Sequence, residues 1–567
     1  MAVAANFMIA GEAGQGVQSA GFILSKALAR GGYSVFADQD YESRIRGGHN
    51  FFRTRVSDSE IGAITGPIDI LLALNQESIE LHRNELAEGG VIVFDEERVK
   101  NARGNGYLLP VPMDRLAEEK AGNRIMGNTV ALGACLGLLG YDLKLLEGVL
   151  QDYFGEGKVS EANVRAARIG YEYGQENFKK DFAVKLRPVS RKRRLLLNGH
   201  EALALGALAA GCNFMAGYPM TPASPILEYM ASKARDMGLV VVQPEDEIAA
   251  INMAIGASYA GARAMTATSG SGFCLMVEGL GLAGLTETPI VVVDAQRPGP
   301  AVGLPTRTEQ GDLQFVLSAH HGDVPRAVLA PATVDEAFWL TVKAFNLAER
   351  YQLPVIILTD HYLATSYATV DGFDLSRVAI DRGEIFAGRP EKYKRHAVTE
   401  SGISPRAFPG LSEALVVTDS DEHDELGHLT EGAQTRTEQV AKRLRKISGL
   451  KGDITPPELY GPKKAELTLI GWGSTYGALR EVVDILSKEV RFNLLHFRSL
   501  WPFPAESVDK ILAGSEKVCI VENNATGQLA RLIRAETGRE ISRKILKYDG
   551  RPFTPAYIVE RLRKEEI

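Results

Sequence analysis

Apolar residues in this chain fall into short runs separated by longer segments of helical periodicity. Over roughly the first 180 residues, apolar runs at 6–10, 68–74 and 91–94 alternate with helix-like stretches such as 17–30. Short apolar runs bounded by turn residues predict strands, and this alternation predicts a parallel sheet covered by helices. A basic segment, RPVSRKRR at 187–194, reads as a solvated linker. Beyond it the alternation resumes. Helical runs at 199–210 and up to Met237 are followed by apolar runs at 239–242, 263–268, 289–294 and 354–359. That is the pattern of a doubly wound α/β domain. Residues 381–460 interrupt it with polar, charged sequence, and such a stretch is either functional or flexible. Strand patterns return at 467–474 and 517–522, with amphipathic helices around them. The expected organisation is three α/β domains, at 1–185, 195–380 and 461–567, with a charged insert or linker at 381–460.

Composition narrows the class. A chain of 567 residues with 45% hydrophobic and 24% charged positions has globular composition and enough apolar surface for several cores. Its net charge of −7 leaves no general basic surface for nucleic acid. The four cysteines, Cys135, Cys212, Cys274 and Cys519, form no CxxC pair. The chain is therefore not expected to hold an iron–sulfur cluster or structural zinc by itself. So few cysteines fit a reducing cytoplasm. No apolar run reaches the length of a membrane span, and the N-terminus lacks the basic region of a signal peptide.

Several loops carry candidate chemistry. GEAGQG at 11–16 follows an apolar run and precedes a helical one. Glycines admit a ligand close to the backbone, and a helix N-terminus offers free N–H groups to an anion. The spacing is neither the dinucleotide GxGxxG nor a P-loop, so Gly11, Gly14, Gln15 and Gly16 read equally as a phosphate site or a tight turn. In ESRIRGGHNFFRTRVS at 42–57, Arg44, Arg46, Arg53 and Arg55 flank Gly47 and Gly48. Such a set suits a phosphate clamp, or else an edge strand with outward arginines. In the second block, YPMTPASP at 218–225 is a proline-stiffened loop in which Thr221 supplies a hydroxyl or, like Ser224, a helix cap. QPEDE at 243–247 places carboxylates before a helix rich in small residues, where they also suit the helix dipole. TSGSG at 268–272 is a glycine turn after a strand, and GLPTRTEQGDL at 303–313 presents Thr306, Arg307 and Thr308 to an anion. DSDEHDELGH at 419–428 invites a metal reading, but His423 and His428 are five apart and off one helical face, which favours a solvated or interface loop.

Taken in order, GEAGQG, ESRIRGG, YPMTPASP, EDEIAA, TSGSGF, GLPTRTEQGDL and ENNATGQL resemble the α subunit of 2-oxoacid:ferredoxin oxidoreductases. The resemblance covers nearly the whole chain. It is closest to the two-subunit 2-oxoglutarate type, in which a γ domain precedes α. It implies a γ-type cap, a pyrimidine-binding domain of the thiamine diphosphate enzymes and a transketolase C-terminal-like domain. It also implies oxidative decarboxylation of a 2-oxoacid on thiamine diphosphate with Mg²⁺, transfer of the acyl group to coenzyme A, and electrons leaving one at a time to ferredoxin. By the resemblance, a β subunit carries the diphosphate-binding domain and a [4Fe–4S] cluster, in an α2β2 assembly. In agreement, this chain has no GDG motif followed by an asparagine pair, and Asn523 and Asn524 have no such motif ahead of them.

The resemblance assigns roles residue by residue. Glu247, rather than Glu245, matches the glutamate that meets N1′ of the aminopyrimidine and relays the proton that activates the cofactor. Tyr218, Pro219, Ser269 and Gly270 are implied around the same ring. Thr221, Thr306 and Arg307 match the residues that meet the substrate's carboxylate and keto oxygen. The glycine loop, with Arg44, Arg46, Gly47 and Gly48, is the candidate coenzyme A site. 2-Oxoglutarate is the expected substrate; pyruvate, a branched-chain acid or an aryl acid, and a non-catalytic scaffold, are the alternatives.

Overall fold

The computed structural model describes residues 4–43, 47–190, 194–488 and 490–564. They form two compact units, one of residues 1–197 with 366–372, the other of 198–365 with 373–567.

The first unit is built on an eight-stranded sheet in the order Tyr107–Pro110, Leu86–Phe94, Ile68–Ala73, Ala4–Glu12, His49–Ser57, Ser34–Asp40, Tyr367–Val370, Leu195–Asn198. The first four strands are parallel, as the alternating pattern implies. His49–Ser57 and Ser34–Asp40 run antiparallel to their neighbours, so the sheet is mixed rather than parallel. His49–Ser57 is also interior, not an edge strand. Its charged positions are satisfied inside the unit: Arg53 Nε donates to Asp38 Oδ1 at 2.8 Å and Arg55 Nη1 to the Ala63 carbonyl at 2.7 Å. Helix Gly127–Leu139 is apolar all round because it is buried against Lys158–Asn177. A Cβ on Gly170 would lie 1.9 Å from the Val130 carbonyl oxygen, and one on Gly133 2.2 Å from that of Ala167. Glycine on both helices is what lets their backbones meet.

The second unit holds a seven-stranded sheet in the order Ser499–Trp501, Ala327–Leu329, Pro354–Asp360, Ile290–Gln296, Ala264–Thr268, Phe214–Ala216, Val240–Val242. All its pairings are parallel except that of Ser499–Trp501. A five-stranded sheet, Glu458–Tyr460, Phe492–Phe497, Leu467–Trp472, Lys517–Glu522, Arg543–Leu546, completes it. One core contains Val292 and Ile356 of the larger sheet together with Trp472, Phe497 and Ile520 of the smaller. This shared core and the crossing strand Ser499–Trp501 join the C-terminal block to the central one.

The charged segment 381–460 is part of this unit's packing, which its polarity conceals. Its helix Ala433–Asp453 buries Lys442 and Lys446 on Glu287: Lys442 Nζ donates to Glu287 Oε1 at 2.6 Å, and Lys446 pairs with Oε2. His396 Nδ1 lies 3.0 Å from the same Oε1. His423 is buried against His396, with ring centroids 3.9 Å apart, and among the described residues no group of His, Cys, Asp or Glu is arranged to hold a metal. No described helix is long and apolar enough to cross a membrane.

Candidate active site

Strand Val240–Val242 leads into the acidic turn, where Asp246 caps helix Glu247–Tyr259 by accepting the Ala249 N–H at 2.7 Å. Capping fixes Glu247 in the first turn, where the helix dipole favours a carboxylate. Its side chain is 3% exposed and Oε1 has no hydrogen-bond partner among the described residues. Glu245, two residues earlier, is exposed. Burial thus separates two acids that are neighbours in sequence. Strand Ala264–Thr268 and the short helix Gly270–Phe273 close over Glu247: a Cβ on Gly272 would lie 2.4 Å from Glu247 Oε1 and 2.1 Å from Thr268 Oγ1. A buried polar oxygen without a donor costs about 1–3 kcal/mol, which a donating ligand would offset.

The YPMTP loop meets this turn through Arg297, a residue that sequence reasoning missed. Arg297 is 7% exposed; its Nη1 donates to the Thr221 carbonyl at 2.6 Å and its Nη2 to Ser271 Oγ at 3.4 Å. The available signal was an arginine between a buried strand and the turn Pro298-Gly299-Pro300. Helix Ser224–Met237 has Ala223 at its N-cap and no side-chain cap, so neither Thr221 nor Ser224 caps it. Thr221 is half-buried and Tyr218 and Pro219 are exposed, whereas Ser269 is buried with an unpartnered Oγ.

Arg307 stands on a loop held from both sides. Thr308 Oγ1 lies 3.4 Å from Asp360 Oδ1 and accepts the Tyr362 N–H at 3.2 Å. Gln310 donates its N–H to the Asn523 carbonyl at 2.7 Å, and Asn524 Nδ2 donates to the Gln310 carbonyl at 3.1 Å. The ENNATGQL segment, whose role the sequence leaves open, is therefore a clamp on the Arg307 loop. Arg307 Nη1 donates to the carbonyl of the buried Thr306 at 3.1 Å. Burial, reinforced by unfavourable interaction with His200 and the Arg307 charge, pushes His361 down to about 3. Burial likewise pushes His200 to about 4, against the opposing pull of a hydrogen bond to the Pro222 backbone. Both imidazoles are thus neutral at neutral pH, His200 hydrogen-bonded to the Pro222 backbone and His361 within reach of the Arg307 charge. Close approaches and chain neighbours link Glu247 through Gly272, Ser271, Arg297, Thr221 and Pro222 to His200, while His361 and Arg307 are related to it only through charge interactions.

In the first unit, Gly14 (φ +91°) and Gly16 (φ +77°) shape the loop before helix Val17–Arg30. Gly14, Gln15 and Gly16 line a cavity of about 600 Å³ with Arg98, Arg124 and Asn128. Asn128 Nδ2 donates to the Gln15 carbonyl at 2.7 Å. Buried Asp114 holds both arginines, Arg98 Nε at 3.0 Å and Arg124 Nε at 2.9 Å. The N-termini of Val17–Arg30 and Gly127–Leu139 both open on this cavity, which suits an anion. Arg98, Arg124 and Asn128 lie far from the glycine loop in sequence and carry no motif. Gly11 packs on Gln15 and Leu74, and neither it nor Gly47 nor Gly48 lines the cavity. Arg44 and Arg46 lie outside the described residues.

Comparison with known proteins accounts for these parts together. A family model described as pyruvate ferredoxin/flavodoxin oxidoreductase matches residues 6–173. One described as pyruvate flavodoxin/ferredoxin oxidoreductase, thiamine diphosphate-binding, matches 205–442. The core domain II of pyruvate:ferredoxin oxidoreductase matches 465–558. The 2-oxoacid:ferredoxin oxidoreductase subunit alpha of a Sulfolobus species is 34% identical over 622 aligned residues, covering 99% of this chain and 96% of that one. The 2-oxoglutarate oxidoreductase subunit KorA of Mycobacterium tuberculosis is 30% identical, covering 93% and 86%. The structure of 2-oxoglutarate:ferredoxin oxidoreductase from Magnetococcus marinus, with 2-oxoglutarate, coenzyme A and succinyl-CoA bound, superposes with a TM-score of 0.93 at 34% identity, covering 99% of each chain.

Proposed function

This chain belongs to the 2-oxoacid:ferredoxin oxidoreductase family as an α subunit, and from that premise we propose that it serves the coenzyme A-dependent oxidative decarboxylation of 2-oxoglutarate to succinyl-CoA. The observation that carries the reading is the buried, unpartnered Glu247 Oε1 beneath Gly272, a site that fits the aminopyrimidine of thiamine diphosphate. That cofactor, with Mg²⁺, supplies the carbanion-stabilising centre for decarboxylation. Glu247 holds the proton at N1′ and passes it during activation. Buried Ser269 with Gly270, and exposed Tyr218 with Pro219, are the residues that would hold the ring.

Arg307, with Thr306 and Thr221, binds the substrate's carboxylate and keto oxygen; a guanidinium suits the first by its forked geometry. Arg297 fixes Thr221 and Ser271 and is a positioning residue in this scheme. In the first unit, Gly14, Gln15, Gly16, Arg98 and Arg124 bind the phosphates of coenzyme A. The four cysteines are far apart and form no CxxC pair, which supports assigning the [4Fe–4S] cluster to a β subunit. Electrons pass from there to ferredoxin, in a cytoplasmic α2β2 enzyme, and the reaction runs in either direction.

The test is co-expression with the β subunit and anaerobic assay of a 2-oxoacid panel with coenzyme A and a viologen dye. Reduction fastest with 2-oxoglutarate, and absent without either chain, is the expected result. Preference for pyruvate or a branched acid would overturn the substrate. Glu247→Gln should lower turnover by about 10²-fold or more with β still bound; full activity in that variant would sink the assignment of Glu247.

A further inference from the structure

The C-terminal block carries a turn that reaches the Arg307 loop and has no part in the scheme above. Strand Arg543–Leu546 runs directly into KYDGR at 547–551. The turn is closed from within by its first residue. Lys547 is 8% exposed; its Nζ donates to the Arg551 carbonyl at 3.1 Å, pairs with Asp549, and stands 5.6 Å from the centre of the Tyr557 ring. Asp549 Oδ1 also accepts the Arg551 N–H at 3.0 Å. A buried ammonium needs partners for its donors, and here they come from the far side of the turn. The turn is anchored from outside by the strand Lys517–Glu522 and the residue after it. The Lys547 N–H donates to the Glu522 carbonyl at 3.2 Å, and Asn523 Nδ2 donates to the Lys547 carbonyl at 2.7 Å.

The apex of the turn is Gly550, which is buried and meets the Arg307 loop at two points. Its carbonyl accepts the Thr308 N–H at 3.3 Å. Its Cα faces the stem of Arg307 so closely that a Cβ there would lie 3.1 Å from Arg307 Cβ and 3.4 Å from Cγ. Gly550 has φ +75°, left-handed backbone that glycine takes without strain. A glycine at this point therefore serves both the turn and the approach of Arg307. An arginine side chain is long and rotamer-rich, so a contact at Cβ and Cγ restricts where its guanidinium can go. At the other end, Arg307 Nη1 donates to the Thr306 carbonyl at 3.1 Å. The side chain is held at its stem by the C-terminal turn and at its head by its own loop.

We propose that the turn 547–551 belongs to the substrate site, with Lys547 as a positioning residue that sets, through Gly550, the reach of Arg307 toward the substrate's carboxylate. The inference rests on Arg307 being the partner of that carboxylate. A forked guanidinium bonds both oxygens of a carboxylate only over a narrow range of angles, so support for its stem is worth affinity. Without the Lys547 ammonium the turn loses its closure and Gly550 withdraws. Arg307 then samples rotamers that do not meet the substrate. The C-terminal block, on this view, takes part in substrate binding as well as in packing.

The test uses the complete α–β enzyme. Lys547→Met keeps an unbranched apolar stem and removes the ammonium. It should raise KM for 2-oxoglutarate about tenfold, leave kcat within about twofold and leave KM for coenzyme A unchanged. A merely structural role would lower kcat through a smaller active fraction and leave KM where it is. Gly550→Ala crowds the Arg307 stem from the same point; it should raise the same KM, and it supplies the readout should Lys547→Met fail to fold. Arg307→Gln separates the proposal from its premise. That variant should raise KM for 2-oxoglutarate about a hundredfold. Adding Lys547→Met to it should change KM no further, because no guanidinium is left to position. An unchanged KM in a folded Lys547→Met enzyme, or a double variant in which the two effects multiply, overturns the proposal while Arg307 keeps its role. An unchanged KM in Arg307→Gln overturns the role of Arg307, and the proposal with it.

Discussion

Gly272→Ala tests the geometry of the catalytic carboxylate most directly. The added methyl would lie 2.4 Å from Glu247 Oε1 and 2.1 Å from Thr268 Oγ1, where ordinary contact begins near 3.4 Å. Thr268 is fully buried at a strand end and has little freedom. The carboxylate must therefore retreat by about 1 Å, the difference between 2.4 and 3.4 Å. A displacement of that size at a catalytic group costs roughly a hundredfold in rate. The overpacking itself costs about 1–3 kcal/mol of stability, which is a fall of only a few degrees in Tm for a unit of this size. The assay is kcat/KM of the reconstituted enzyme with 2-oxoglutarate, alongside thermal unfolding of the variant. Gly452→Ala is the control, since a Cβ there meets nothing within 4 Å; it should leave turnover unchanged. Wild-type turnover in a folded Gly272→Ala chain would refute the placement of Glu247 beneath this turn.

Three further outcomes are expected. Glu287→Gln leaves Lys442 and Lys446 buried beside a neutral amide, and should cost about 3–5 kcal/mol, read as a lower urea midpoint. Burial pushes His496 down to about 3, aided by the charge of Arg498. Its native pKa is thus depressed below the unfolded value, so its contribution is full above about pH 6.5 and is lost as pH falls. Against His496→Asn, the wild type should lose about 1.4 kcal/mol of relative stability per pH unit between about 6.5 and 4, and show no trend above 7. Arg98→Ala removes one charged donor from the cavity at the glycine loop, and should raise KM for coenzyme A by about tenfold while KM for the 2-oxoacid holds. A uniform rise in both constants would place coenzyme A elsewhere.

The loops at Glu247, Thr221 and Arg307 are legible as local arrangements, a cap before a helix, a proline loop and a polar loop after a buried strand, but their roles are implied only by the family resemblance. Their joining is not legible. It depends on Arg297, His200, His361 and the Asn523-Asn524 clamp, which come from distant parts of the chain. In the first unit the four parallel strands follow from short apolar runs. The segment His49–Ser57 reads as a phosphate clamp or a basic edge strand because its arginines look unpaired; Asp38 on the neighbouring strand and the carbonyl of Ala63 in the following loop satisfy them. The same blindness affects the insert 381–460, which reads as functional or flexible until Lys442 and Lys446 of its helix Ala433–Asp453 are seen paired with Glu287.

By itself the sequence determined the α/β class, nine of the strands that structure the described residues, the lack of any CxxC pair, and which loops hold reactive side chains. Those properties are set by periodicity and composition over a few residues, and such short-range preferences survive in any fold. Tertiary structure alone decided that the first sheet is mixed, that the central and C-terminal blocks share one core, and that Glu247 rather than Glu245 is enclosed. Burial and charge compensation are settled between residues far apart in sequence, so a charged side chain shows its environment only once its distant partner is in place.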